Sequence, residues 1–148
     1  VTHNKTQAFL DYWGRARGDK AMPGRNDIDP LDMPRFLLSD LFLVDVLDGG
    51  GDFRYRLIGS HIVEHTGADL TGRRLSDLRD RGSQPRLAAL YGEVVHSKAP
   101  QQTRLPYKTP EMQAASHYDV VVAPLASDGR TVDMLVGIAD YQPLTGLG

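Results

Sequence analysis

His61, Glu64 and His65 are the residues in this chain whose types and spacing most invite a chemical reading. They form His-x-x-Glu-His, the inverted zinc-peptidase pattern. On a helix the two histidines stand at i and i+4, where both could hold one divalent ion while Glu64 activates a water. Two features oppose that reading. Gly59 and Gly67 bracket the segment and leave it under two helical turns, too little for a rigid metal platform. No later segment stands out as the source of a third ligand. The match is read as accidental, with no metal site and no catalytic residue assigned, and His61 is expected to be a solvated surface histidine. Serine-hydrolase chemistry has no support: there is no Gly-x-Ser-x-Gly, and no spacing links a serine to a histidine and an acid. The chain has no cysteine, which removes thiol catalysis, disulfides and cysteine–zinc sites and fits a reducing compartment. Arg73, Arg74, Arg79, Arg81 and Arg86 cluster, but Asp77 and Asp80 are interleaved, so the segment reads as a solvated mixed-charge surface rather than a phosphate site.

The elements that must position these residues follow from periodicity. Leu41 to Leu47 is a strand, and Asp48-Gly49-Gly50-Gly51-Asp52 turns it back into a second. That glycine run is not a phosphate loop, because no helix and no Lys-Ser/Thr follow it. In the second strand Phe53, Tyr55 and Leu57 alternate with Arg54 and Arg56, a half-buried pattern. Gly59-Ser60 stops it, with Ser60 as N-cap of a helix running to about Thr66 and Gly67 just beyond its end. Leu75 and Leu78 can anchor a further helical turn. Ahead of the hairpin, Asn4 caps a helix over residues 5–17, with Gln7 as a weak capping box, Phe9, Trp13 and Ala16 on one apolar face, and Gly18 as the stop. Asp29 before Pro30 makes the N-cap and first residue of a short turn. After the central stretch, Ser83 caps the clearest helix, with Leu87, Leu90, Tyr91, Val94 and Val95 at helical spacing. Gln101 to Tyr107 reads as an edge strand, because Pro106 would not suit a central one. Residues 108–114 read as a loop. Ser116 to Leu125 and Val132 to Tyr141 are strands joined by a turn at Ser127 to Arg130. Val132, Leu135, Val136 and Ile138 put apolar side chains on both faces of the last strand, as in a sheet centre. The fold class is α+β with an antiparallel sheet.

A length of 148 residues predicts a single domain, 1–148. The formal charge of −2 gives no reason to expect nucleic acid or an anionic membrane as partner. No apolar run approaches the ~20 residues of a membrane span, and nothing resembles a signal peptide, so a cytoplasmic location is expected.

The stretch Phe53 to Leu78 resembles a PAS domain. The family has a strand, a helix ending in Thr-Gly or similar, then Leu-x-Gly-Arg before a short helix; here Thr66-Gly67 and Leu70-Thr71-Gly72-Arg73 stand in those places. The asparagine often found after the strand is Gly59. More closely, the chain is similar to small stand-alone PAS-like proteins of alphaproteobacteria, through Tyr12-Trp13, Pro23 to Arg25, Asp27 to Pro30 and Tyr55 to Gly59. The resemblance spans roughly residues 5–142 and implies a five-stranded antiparallel sheet, short helices over one face, an N-terminal helix and a PAS core at about 36–142. It also supplies a third argument against zinc, since the His61–His65 stretch already fits the PAS pattern.

The resemblance implies a non-enzymatic sensory domain that binds a small organic molecule or a protein partner in signalling. It places Tyr118, Val120 and Val122, which lead to Pro124, on the wall of an interior cavity, with Leu135, Gly137 and Ala139 from the last strand and Ile62 and His65 from the short helix. Tyr91 and Tyr118 are large enough to fill space left by Gly137 and Ala139. His65 would be buried with a hydrogen-bond partner or face a polar ligand, in which case binding would vary with pH. The resemblance argues against two cofactors: the flavin-binding type needs a reactive cysteine, and the haem-binding type uses a histidine on the longer helix, where His96 stands outside the apolar face. The Phe9, Leu10 and Trp13 face is expected to be shared between the sheet and the second subunit of a homodimer. Two other readings stand beside this one: a small cone-shaped α+β enzyme using His65 or His117 with an acid, and an obligate dimerisation module with a filled core.

Overall fold

The computed structural model of the chain describes residues 4–107, 112 and 116–141. Helix α1 (Lys5–Arg17) begins where Asn4 accepts the Gln7 N–H at 3.0 Å and ends at Gly18, whose φ of 58° suits glycine. The Gln7 side chain bonds Asp11 rather than completing a capping box. Two 3-10 turns follow, Arg25–Asp27 and Pro30–Asp32. The Tyr12 hydroxyl clamps the second, donating to the Asp29 carbonyl at 3.0 Å and accepting the Asp29 N–H at 2.8 Å. A single-turn helix α2 (Arg35–Leu38) leads into the sheet.

The strands are β1 (Leu41–Leu47), β2 (Asp52–Ile58), β3 (Gln101–Tyr107), β4 (Ser116–Leu125) and β5 (Met134–Tyr141). They lie in the order β2-β1-β5-β4-β3, every neighbouring pair antiparallel. The two-faced apolar strand β5 is central beside β1, and the proline-bearing β3 is at an edge, both as the side-chain patterns predict. The segment read as a loop at 108–114 lies outside the described residues except for Met112.

Helix α3 (Ser60–Thr66), a 3-10 turn (Leu75–Leu78) and helix α4 (Gln84–Ser97) cover the face that carries Val120 and Ala139. The alternate residues Val121, Val136 and Ile138 face the other way and are equally buried, beneath α1 and the segment after it. Phe9 and Trp13 are 1% and 8% exposed within this one chain, and the Trp13 indole N–H donates to the Pro124 carbonyl at 3.0 Å. Leu10 is half-buried.

Three local expectations need correction. The alternation in β2 breaks at a β-bulge: Leu43 pairs Leu57, but Val44 pairs Tyr55, so Arg56 is the extra residue. Beyond it the faces swap, which leaves Leu57 38% exposed and turns Ile58 inward. Gly59, not Ser60, is the N-cap of α3, its carbonyl accepting from Ile62 and Val63. Ser83 holds the cap position of α4, but its hydroxyl bonds the Pro106 carbonyl of β3 instead of a helix N–H.

Asp52 sets the height of the 3-10 turn over the sheet. Its carboxylate accepts the Phe53 N–H at 2.8 Å, the Ser76 N–H at 3.1 Å and the Ser76 hydroxyl at 2.7 Å. Burial pushes its pKa up, but the bonds from Ser76 and Phe53, helped by Arg74, outweigh that and hold it below the ordinary value. A carboxyl lowered on folding contributes stability above its unfolded pKa and loses it as pH falls through the folded pKa. Asp52→Asn should therefore cost about 1–3 kcal/mol near neutrality. The gap between the variant and the parent should close in acid, which urea melts across pH would measure.

Candidate functional site

Between the sheet and the helices that cover it lies a cavity of about 60 Å³. Ile62, Tyr91, Tyr118, Val120 and Ala139, all expected there, line it, joined by Phe42, Tyr55, Ile58 and Leu87. Rings take up most of the space. Tyr91 meets Phe53 edge-on at 5.5 Å and Tyr55 edge-on at 6.3 Å. A Cβ on Gly137 would stand 2.6 Å from Phe42 Cζ, so the room that Gly137 leaves is filled by Phe42. Val122 and Leu135 are 0% exposed and pair with Gly137 and Pro124, but they do not line the cavity.

The hydroxyls of Tyr55 and Tyr91 inside are partnered. The Tyr55 hydroxyl donates to Gln84 Oε1 at 2.8 Å and lies 3.0 Å from the Tyr91 hydroxyl, which is left to donate to it. Burial raises the pKa of both tyrosines, so they stay protonated near neutral pH.

Outside this cavity is a wider groove of about 590 Å³. The two share Thr66, Ala68, Leu70, Gln84, Tyr118 and Tyr141, so the groove is the vestibule of the cavity. His65 lines the groove, not the cavity. Its Nδ1 donates to the His61 carbonyl at 2.9 Å, and its ring stacks on Tyr141 at 4.5 Å. Tyr141 stacks in turn on Tyr118 at 4.5 Å, and Tyr107 meets Tyr141 edge-on at 5.0 Å.

A family model described as PAS domain matches residues 1–140. The chain belongs to the PAS domain family. Among solved structures it is similar to the PAS domain of Bordetella pertussis BvgS, at 12% identity over 78% of this chain and 88% of that one, with a TM-score of 0.54. It is similar to the Rhodobacter sphaeroides LOV protein at 12% identity, over 99% of this chain and 72% of that one, with a TM-score of 0.54. A fungal LOV domain photoreceptor matches at 16% identity, over 93% of this chain and 91% of that one, again with a TM-score of 0.54. At such identities the likeness shows the fold. No curated protein matches the sequence significantly.

In this PAS domain both histidines of the His-x-x-Glu-His match make contacts within the fold. His61 is not a free surface histidine: its Nδ1 is 2.6 Å from Asp40 Oδ1, and Asp40 is 1% exposed. The second oxygen of Asp40 accepts from Lys5 Nζ at 2.6 Å, so one buried carboxylate ties α1 to the first turn of α3. A buried carboxylate needs such partners, and the sequence separation of 35 residues hides this one. Nearby, burial raises the Asp140 pKa, opposed by Lys5 3.8 Å away. Glu64 is exposed. Among the described residues no group of three His, Asp or Glu side chains is placed to hold a metal ion.

Several site residues were not foreseen. Tyr141 lies two residues beyond Ala139 on the same face of β5, so extending the alternation one step would have found it. Tyr55 was legible only as strand pattern, and Gln84 only as the residue after a cap. Arg81 and Arg86 were read as part of a mixed-charge surface, yet both line the groove while Asp77 and Asp80 do not.

Proposed function

We propose that this PAS domain is a non-enzymatic sensory module that takes a small organic molecule into the groove and cavity between its sheet and short helices. The observation that carries this reading is the groove of about 590 Å³ opening onto an apolar cavity. That volume falls within the ~300–1,000 Å³ of ordinary small-molecule sites. The enzyme reading draws less support. The cavity's titratable pair, Tyr55 and Tyr91, is pushed toward the protonated form and offers no base near neutral pH. His65 spends Nδ1 on a backbone carbonyl, and His117 sits on β4 next to Tyr118, hence on the opposite face. Flavin and haem fit poorly: the chain has no cysteine, the cavity is small, and His96 is exposed at the end of α4.

Native mass spectrometry of freshly purified protein should show a retained organic ligand. Ala139→Leu should remove it, because the new side chain would enter a space of about 60 Å³. The same change should cost ~1–3 kcal/mol by overpacking. An unchanged ligand in Ala139→Leu would move the site elsewhere.

The burial of α1 narrows what a homodimer could share. Phe9 and Trp13 are already covered within one chain, which leaves the half-buried Leu10 as the apolar residue for a second copy. Leu10→Asp should then sediment as a monomer against a dimeric parent; two monomers would end the dimer proposal. The cysteine-free composition fits a cytoplasmic setting, and no helix among the described residues is long and apolar enough to cross a membrane.

A further inference from the structure

The outer groove is chemically lopsided. Arg81 and Arg86 line it, and among the described residues no aspartate or glutamate does. Both arginines are exposed, and neither has an ion pair among the described residues. The tyrosines of the groove, Tyr107, Tyr118 and Tyr141, all have pKa values raised by burial, so they are neutral hydroxyl donors rather than anions. Tyr107 adds a second, independent observation. Its hydroxyl is buried and has no hydrogen-bond partner among the described residues. An orphan of that kind is costly in a folded protein and calls for an acceptor. The stack of His65, Tyr141 and Tyr118, with Tyr107 edge-on, supplies an aromatic wall beside it.

We propose that the groove binds a planar aromatic carboxylate, its ring against the tyrosine wall and its carboxylate on Arg81 and Arg86. This rests on the small-molecule reading above and narrows it in two ways. The ligand is an anion, because Arg81 and Arg86, the arginines that line the groove, are cationic and no carboxylate among the described residues lines it. It sits mainly in the vestibule, because Phe42, Tyr55 and Tyr91 leave only about 60 Å³ inside for the part that enters the cavity. A guanidinium matches a carboxylate in shape as well as charge, and aromatic rings prefer the offset or edge-on contacts that this wall presents. A small turn of Tyr107, which lines the groove, would let the ligand supply the acceptor its hydroxyl lacks.

Benzoate is the probe, titrated calorimetrically into the whole chain, with benzamide and inorganic phosphate as comparisons. Benzoate should bind about tenfold or more tightly than benzamide, since only the carboxylate makes charge-assisted bonds. Phosphate should bind more weakly than benzoate, since it cannot use the rings. Arg81→Gln and Arg86→Gln should each weaken benzoate several-fold without lowering the melting temperature. Tyr107→Phe should weaken benzoate while leaving the ligand-free melting temperature unchanged or raised, because it removes an unpaired hydroxyl. Equal binding of benzamide, equal binding of phosphate, or unaltered affinity in both arginine variants would overturn the proposal. A neutral molecule retained through purification and lost in Ala139→Leu would overturn the carboxylate and leave the small-molecule reading standing. No retained ligand together with no benzoate binding would overturn both.

Discussion

Gly59→Ala should destabilise this protein by about 3 kcal/mol or more, near the upper end for a single added methyl. The reason is steric, since Gly59 has an ordinary φ of −64°. A Cβ there would run into the Ser39 carbonyl oxygen and stand 2.7 Å from the Ser39 carbonyl carbon and 2.9 Å from the Leu41 oxygen. Backbone cannot retreat as a side-chain tip can, and here it is held. Ser39 O accepts the His61 N–H at 3.0 Å, and Leu41 O accepts the Gly59 N–H at 2.7 Å. Making room would pull the first turn of α3 off the start of β1 and separate His61 from Asp40. The asparagine common in PAS domains at this place should therefore be worse than alanine here, although it is the family's own residue. Gly67→Ala is the informative control. Gly67 has a φ of 77° and open space around it, so it should lose only the ~1–2 kcal/mol of a left-handed non-glycine residue. Urea melts of the three variants would order them Gly67→Ala, Gly59→Ala, Gly59→Asn in rising cost. A Gly59→Ala as stable as the parent would show that the two strands are not locked at this crossing.

Trp13→Ala should cost about 3–5 kcal/mol, the range for losing a large buried aromatic. Two losses combine. The indole leaves a void between α1 and the sheet, and the Pro124 carbonyl loses its donor at 3.0 Å. Pro124 lies beyond the reach of β3, which pairs with β4 only from Ser116 to Val122. Trp13→Phe separates the terms: it keeps most of the packing and gives up the hydrogen bond, for about 1 kcal/mol. Because the ring is covered within one chain, the loss of melting temperature should be the same at every protein concentration. A loss that grows on dilution would show that a second subunit shares this face.

Much of the architecture was legible because it depends on local chemistry. Asn4 and Gly18 bound α1 where the sequence says, since a capping side chain and a left-handed glycine act on their own few residues. The centre of the sheet was readable from β5, whose apolar residues fall on both faces, and its edge from Pro106 in β3, which lacks a ladder donor. The cavity wall was half readable: Tyr118, Val120 and Ala139 follow from the PAS resemblance, while the alternation on β2 misled after Tyr55. A bulge adds one residue without any mark in the pattern, so Leu57 and Ile58 exchanged faces.

The amino-acid sequence by itself determined the elements, their order, the antiparallel sheet with its central last strand, and the membership of the PAS family. The elements and the sheet rest on periodicity and turns settled within a few residues, and the family on the resemblance of motifs such as Thr66-Gly67 and Leu70 to Arg73. The tertiary structure alone decided that His61 and Lys5 meet on the buried Asp40, that Phe42 fills the space left by Gly137, that His65 looks into the groove, and that two arginines line that groove without their neighbouring aspartates. Each of these joins groups from separate elements, and such meetings depend on how the elements pack, which no local pattern encodes.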